Sequence, residues 1–289
     1  MGMSVNTNVG AMVALQNLAS TQDTLRTTQN RIATGLAVSG AKDDSAQFAI
    51  AQKLRGDIGG LKAVTASLNR AKSTVDVALS GAQQVSDILN QMKEKATAAA
   101  DDGLDQSSRD AINEDFKALR DQMTSIVSSA TFNGTNLLDG GSGTVAALKS
   151  LQDGDADTDG YQTDALTVSN QDLKLGSGTD AGTNIAFGDA TEIGTAADAA
   201  SAVDAITTSI GNVNNVMSKL GSASRQIDAQ VTFTSKLSDV ISSGVGNLVD
   251  ADMAKESAAL QALQVKQQLG VQALSIANQA PQSIMSLFR

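Results

Sequence analysis

The stretch Leu54–Leu89, LRGDIGGLKAVTASLNRAKSTVDVALSGAQQVSDIL, decides the fold. Every seventh residue from Leu54 is apolar: Leu54, Leu61, Leu68, Val75, Ala82 and Leu89, continuing to Ala96. A second row runs Ile50, Asp57, Val64, Ala71, Ala78, Val85, Met92 and Ala99, and only Asp57 breaks it. Two such rows, sustained over about 50 residues, predict one helix about 75 Å long that supercoils left-handed against its partners. Downstream, Val203, Ile210, Met217, Ser224, Val231, Ser238 and Val245 alternate with Ile206, Val213, Leu220, Ile227, Thr234, Ile241 and Leu248. Between the two seams lies a shorter stripe of Ile112, Phe116, Leu119, Met123, Ile126 and Ala130, with Ser107-x-x-Asp110 as its expected capping box. Three helices with matching seams predict a mainly α rod. Its packing falls to Leu54, Leu61, Leu68, Leu89, Ile206, Leu220 and Ile227.

Working outward, both chain ends are amphipathic in another style. Ala11, Leu15, Leu18, Leu25 and Ile32 recur at helical spacing, as do Met253, Leu260, Leu263, Leu274, Ala277 and Ile284. Their polar faces are Gln, Asn, Ser and Thr, and between Ser257 and Arg289 the only charges are Lys266 and Arg289 itself. Uncharged amides suit burial against other polar faces, where a full charge would carry a heavy desolvation cost. The ends therefore read as interaction surfaces that order on assembly, the alternative being that they pair only with each other inside one chain.

Composition excludes several function classes. Among 289 residues there is no Cys and no His, so thiol nucleophiles, Cys/His zinc sites and Ser-His arrangements are ruled out. Aromatics are 2% and Trp is absent, which removes a base-stacking surface. The net charge of −10 is local: eleven acids stand between Asp153 and Asp204 against the single base Lys174, leaving neutral flanks. No basic face collects for nucleic acid. The first 22 residues carry no charge and are interrupted by amides and hydroxyls, so neither a secretory leader nor a membrane span is expected.

The middle of the chain changes character. Phe132-Asn133-Gly134 is a hairpin signal, and 11 of the 25 glycines fall between Gly134 and Gly194. Ala165–Val168 and Asn184–Phe187 read as strands, so a small β-rich insertion is expected to project from the rod. Asp155-Ala156-Asp157-Thr158-Asp159-Gly160 matches the first half of an EF-hand calcium loop, but Leu166 stands where a closing Glu belongs. Asp155, Asp157 and Asp159 are thus the one metal candidate, beside an expected acidic, solvated loop. There is no phosphate loop or dinucleotide fingerprint, and no cofactor or catalysis is expected.

Several motifs carry a resemblance. Ser4-Val5-Asn6-Thr7-Asn8, Ala14-Leu15-Gln16-Asn17-Leu18, Arg31-Ile32-Ala33-Thr34-Gly35, Ala41-Lys42-Asp43-Asp44 and Ala49-Ile50-Ala51 open the chain. Phe132-Asn133-Gly134 stands in the middle, and Gly246 to Ser257, Gln267-Gln268-Leu269-Gly270, Ala277-Asn278-Gln279 and Ser286-Leu287-Phe288-Arg289 close it. Together they resemble bacterial flagellin, of alphaproteobacterial type, over about 140 residues from the start and about 90 from the end, leaving the acidic middle unmatched.

The resemblance implies a long antiparallel helical rod or coiled coil formed by both chain ends, with a β-rich inserted outer domain. Its divisions would be an inner-tube helix at 1–45, rod helices and turn at 46–140, a variable insertion at 141–200, a return helix at 201–249 and a second inner-tube helix at 250–289. It implies a self-polymerising subunit of the flagellar filament, secreted and extracellular, and exported unfolded by the flagellar type III apparatus. The alternative is the hook–filament junction protein. Implied partners are further copies of the chain, hook-associated junction and cap proteins and an export chaperone. Leu15, Leu18, Leu25, Ile32, Leu260, Leu263, Leu274, Ile284 and Leu287 would carry inner-tube polymerisation. Gln91, Lys95 and Asp115 depart from the pattern seen by Toll-like receptor 5, implying weak or absent activation. O-linked glycosylation is implied among Ser142, Thr144, Thr167, Ser169, Ser177, Thr179 and Thr183.

Overall fold

The computed structural model describes residues 7–141, 143–153 and 163–285, and these form five helices and four strands. In chain order they are α1 (Val9–Thr34), α2 (Ser45–Ala99), α3 (Gln106–Ser129), β1 (Thr131–Phe132), β2 (Thr135–Asn136), β3 (Val145–Asp153), β4 (Thr163–Val168), α4 (Ala196–Val249) and α5 (Met253–Met285). The chain is mainly α, as the heptads predict. It packs as two units, residues 59–238 and the remainder from both chain ends.

The larger unit has one continuous core. α2 buries Val64, Leu68, Ala71, Val75, Ala78, Ala82, Val85, Leu89, Met92, Ala96 and Ala99, following both predicted rows, and Leu61 is buried as well. α4 buries Ile206, Val213, Leu220 and Ile227 from one predicted row, but its companion row is Ala202, Ser209 and Val216. Val203, Ile210 and Met217 flank that seam half-buried, because a helix covered by more than one neighbour presents a stripe wider than two positions per heptad. The Lys72–Asp228 ion pair and the Ser224 hydroxyl, which donates to Asp76 at 3.4 Å, set α2 and α4 antiparallel. The Asp228 carboxylate raises the pKa of the Lys72 ammonium. Phe116 and Met123 enter the core from α3.

Helix ends account for much of the polar chemistry. α3 is capped by Asp105, not by the expected Ser107–Asp110 box. Asp105 is still extended (φ −68°, ψ 152°) and its carboxylate accepts the Ser108 N–H at 3.0 Å and the Ser108 hydroxyl at 2.7 Å, whereas Ser107 already lies inside the helix. Those bonds, the hydroxyl first, hold the Asp105 carboxyl below its usual range. Arg109 closes the other end of the same corner. Its buried guanidinium donates to the carbonyls of Ala99 at 2.9 Å and Asp101 at 2.8 Å, placing a cation on the C-terminal end of α2.

The insertion lies on the helices. Asn133 (φ 50°) and Gly134 (φ 78°) turn β1 into β2, as the sequence predicts. β3 pairs antiparallel with β4 in the register Val145↔Val168 to Leu148↔Ala165, bearing out the Ala165–Val168 strand. Asn184–Phe187 is no strand: Ile185 and Phe187 instead turn down into the core beside Leu137, Leu138, Leu173 and Ile193. Where ladder partners are missing in the insertion, helix side chains take part of its backbone. Ser67 accepts the Leu148 N–H at 3.2 Å, Ser209 the Ala186 N–H at 2.8 Å and Asn113 the Ile193 N–H at 2.8 Å. The described residues of the insertion are packed down by these contacts, and for them the expectation of projecting from the rod is corrected.

Candidate assembly surface

The smaller unit is built from α1, α2 up to Ile58, the end of α4 from Asp239, and α5. α1 and α5 pack along their length. The side chains of α1 turned toward α5 are Ala11, Ala14, Leu18, Thr21, Leu25, Thr28 and Ile32, a strict alternation of three and four. α5 answers with Glu256, Leu260, Leu263, Gln267, Gly270, Leu274 and Ala277 at the same rhythm. The pair is antiparallel, since Asn8 at the start of α1 reaches Ala277 and Arg31 near its end reaches Glu256 at 3.2 Å.

Local chemistry fixes each end of this pair. Asn8 caps α1, its side-chain oxygen accepting the Ala11 N–H at 3.0 Å, while its Nδ2 donates to the Ala277 carbonyl at 2.8 Å. That carbonyl is free because Pro281, four residues on, has no N–H to give it. Gly35 ends α1 in the left-handed conformation (φ 71°), which a side chain would strain. The strand-like link that follows bonds to the α4–α5 link. Ala37 donates to the Val249 carbonyl at 2.7 Å and Ala251 to that of Gly35 at 2.9 Å. Asp252 caps α5 through the N–H groups of Ala254 and Lys255, and Asp44 caps α2 through those of Ala46 and Gln47. Asp43 accepts the Ser39 hydroxyl at 2.9 Å and the N–H groups of Ser39 and Gly40, and these bonds, the hydroxyl first, lower its pKa.

Burial in this unit is thin. Its buried hydrophobic cluster is Val38, Ala51, Val245 and Val249, with Leu36, Phe48, Leu54, Ile58, Ile241 and Leu248 half-buried around it. Leu54 therefore belongs to this cluster and not to the larger core where the heptad put it, and Ile50, placed by the sequence on the seam, faces outward. The helix pair buries Thr21 and Thr28 in its seam and leaves large aliphatic side chains outside. On α1 these are Val9 at 68% exposure, Met12, Val13 and Leu15 at 58%. On α5 Val265, Leu269 and Ile276 share one face at 55%, 58% and 68%, and Val271 is exposed on another. A shallow groove of about 410 Å³ runs between the helices, lined by Asn17, Ser20, Thr21, Lys266 and Leu269 among others. Apolar surface of this kind on otherwise ordered helices marks an interaction face.

The structure thus sorts the predicted inner-tube residues. Leu18, Leu25, Ile32, Leu260, Leu263 and Leu274 lie half-buried in the chain's own α1–α5 seam, and Leu15 points away from it. Ile284 lies in α5 with its side chain outside the described residues, and Leu287 lies outside them altogether. Sequence reading missed Val9, Val13, Val265 and Ile276. The signal that would have found them is the unbroken three-four rhythm through Thr21 and Thr28, which defines the inward face and leaves the remainder outward.

Other predicted positions fall elsewhere. Leu61, Leu68, Leu89, Ile206, Leu220 and Ile227 are buried in the larger unit. Gln91 is exposed, and Lys95 pairs with Asp115 at 2.6 Å across α2 and α3. Thr144, Thr167, Ser169, Ser177, Thr179 and Thr183 are exposed. Ser142, Asp155, Asp157 and Asp159 lie outside the described residues, among which no group of three acids gathers as a metal site. No described helix is long and apolar enough to cross a membrane.

Residues 5–142 match the family described as bacterial flagellin N-terminal helical region, and residues 203–288 match bacterial flagellin C-terminal helical region. Over 286 residues the chain is 46% identical to flagellin FljM of Caulobacter vibrioides, covering 99% of this chain and 98% of that protein. It is 39% identical to the flagellin of Brucella melitensis, covering 99% of each. Among solved structures, one described as a flagellar hook-associated protein of Vibrio parahaemolyticus superposes with a TM-score of 0.56 at 14% identity, covering 72% of this chain and 100% of that one, a likeness of fold.

Proposed function

The chain belongs to the bacterial flagellin family, and from that premise we propose how its surfaces turn one subunit into a filament. It is a structural subunit of the flagellar filament, the extracellular propeller of swimming bacteria. Its family is one of structural proteins, and our reading assigns it no catalysis and no cofactor.

Two layers of the smaller unit divide the work. Leu18, Leu25, Ile32, Leu260, Leu263 and Leu274 hold α1 against α5 within one subunit. The outward residues Val9, Met12, Val13 and Leu15 of α1 and Val265, Leu269 and Ile276 of α5 make the contacts between subunits. The observation that carries this is the exposure of those aliphatics on helices already packed against each other along their length. Ile284 and Leu287 extend the same contacts. Uncharged amides around them desolvate at less cost than charges would, so many copies pack side by side. A surface that meets a different surface on the next copy generates an open helical polymer.

The larger unit stiffens the filament, with rod packing at Leu54 passing to the smaller unit. Export proceeds unfolded through the type III apparatus, a route suited to a chain without disulfides and with one proline. An export chaperone covers α5 until then, and hook-associated junction and cap proteins meet the same terminal helices. The Lys95–Asp115 pair and Gln91 leave no apolar anchor at the receptor positions, giving weak or no activation of Toll-like receptor 5. O-linked sugars attach within the set Ser142, Thr144, Thr167, Ser169, Ser177, Thr179 and Thr183.

The test is elongation of purified chain from short filament seeds, followed by negative-stain electron microscopy. Ile276→Asp should abolish elongation with the helix content of the monomer unchanged, whereas Leu274→Asp should abolish elongation and also lower helix content by unpairing α1 and α5, leaving the larger unit helical. Normal filaments from Ile276→Asp would refute the division of roles. Failure of the wild-type chain to elongate would favour the hook–filament junction reading, for which the likeness to the hook-associated structure is the supporting observation.

A further inference from the structure

The larger unit carries two further surface features. On α4, Phe233 is 58% exposed, while the other described phenylalanines, Phe48, Phe116, Phe132 and Phe187, are buried or half-buried. Lys236 stands one turn further along the same face, without a carboxylate partner among the described residues. The second feature is an open groove of about 420 Å³ between α2 and α3, whose lining includes Val77, Gly81, Ile126 and Ala130. Gly81 forms part of the lining where α2 packs closely: a methyl group there would stand 3.0 Å from Leu138 and 3.2 Å from Ala130. Asp76 borders the groove and presents the one carboxylate in its lining, one oxygen of which accepts the Ser224 hydroxyl at 3.4 Å.

We propose that Phe233 of one subunit seats in the α2–α3 groove of a neighbouring copy, with Lys236 meeting Asp76. The inference rests on the filament reading, which supplies the second copy as the occupant. The two features match in both terms that recognition requires. An exposed phenyl ring beside a free ammonium meets an apolar trough beside a carboxylate. Knob and socket sit at different places on one chain, so the contact is heterologous and each added subunit offers a fresh socket. Filament assembly thereby acquires a contact in the larger unit, independent of the terminal helices.

The absence of native cysteine makes the test direct. In filaments of the Thr232→Cys, Ser129→Cys double variant, which keeps Phe233, a short bis-maleimide should produce a ladder of covalent oligomers. Each single variant, and the double variant as monomer, should give none. Filaments that grow normally from the double variant without a ladder overturn the docking and leave the filament reading intact, while a wild-type chain that never elongates from seeds removes both. Phe233→Ala should raise the critical concentration about tenfold with helix content unchanged. Lys236→Asp should weaken elongation, and Asp76→Lys in the same chain should restore it. A wild-type critical concentration for Phe233→Ala, or no restoration by the charge exchange, refutes the contact.

Discussion

The two units bury their side chains on opposite plans. Residues 59–238 close a core in which Leu68, Leu89, Phe116, Leu137, Ile206 and Leu220 are fully buried. The terminal unit buries four small aliphatics, places Thr21 and Thr28 in its principal helix seam and turns Val9, Leu15, Leu269 and Ile276 outward. The first closes a core within one chain, and the second leaves the aliphatic surface that our proposal gives to other copies. Hydrophobic stabilisation scales with the area removed from water, so the larger unit holds most of the subunit's own stability and the smaller holds most of what assembly has left to gain.

The substitution that bears hardest on this contrast is Phe116→Ala. It should destabilise the monomer by about 4 kcal/mol through lost burial and a cavity, while Leu25→Ala in the half-buried terminal seam should cost about half that. Urea unfolding followed by circular dichroism measures both, and equal losses would erase the distinction. Next comes Arg109→Met, which leaves the Ala99 and Asp101 carbonyls without their charged donor; the expected loss is about 2 kcal/mol, confined to the unfolding of the larger unit. In the smaller unit Asp252→Ala should cost about 1 kcal/mol by removing the α5 cap, and it should appear as faster amide exchange in α5 with α3 unchanged.

The smallest effect is that of acid. Asp43 in the terminal unit, and Asp105, Asp139 and Glu192 in the larger one, all have folded pKa values below their ordinary ones. The causes, in turn, are the Ser39 hydroxyl, the Ser108 hydroxyl, the Gly141 N–H and the Lys117 ammonium. Because the folded values are depressed, their contribution is complete above the ordinary carboxylate range near pH 4 and disappears as pH falls through the lowered values. Asp43, Asp105 and Glu192 are exposed and Asp139 is half-buried, so both units should loosen together and only slightly. A terminal unit unaffected by acid would show that Asp43 plays no part in holding its link.

The seam of α2 was legible because its small and aliphatic residues keep one face toward α3 and α4 from Val64 to Ala99, and any body covering that face satisfies the pattern. The α1–α5 seam was half legible. Leu18 and Leu25 announce it, but Thr21 and Thr28 complete it, and a hydroxyl on an apolar stripe is read as an interruption until a partner helix is seen beside it. The Asn184–Phe187 segment was misread, since a short apolar run marks burial without saying whether a strand or a helix surface provides it. For the same reason Arg109 and Ser209 were passed over: each acts on backbone atoms supplied by packing and leaves no trace in local spacing.

By itself the sequence determined the helices, their order, the hairpin at Asn133-Gly134, the acidic middle and the family, since periodicity, turn chemistry and motif content are properties of neighbouring residues. The tertiary structure alone decided what each face meets. Leu15 and Leu18 are one turn apart and chemically identical, yet one rests beside Gly270 and the other is open to a neighbour. A hydrophobic period assigns a side of a helix, but the burial of that side depends on the geometry of every other element, which no local pattern contains.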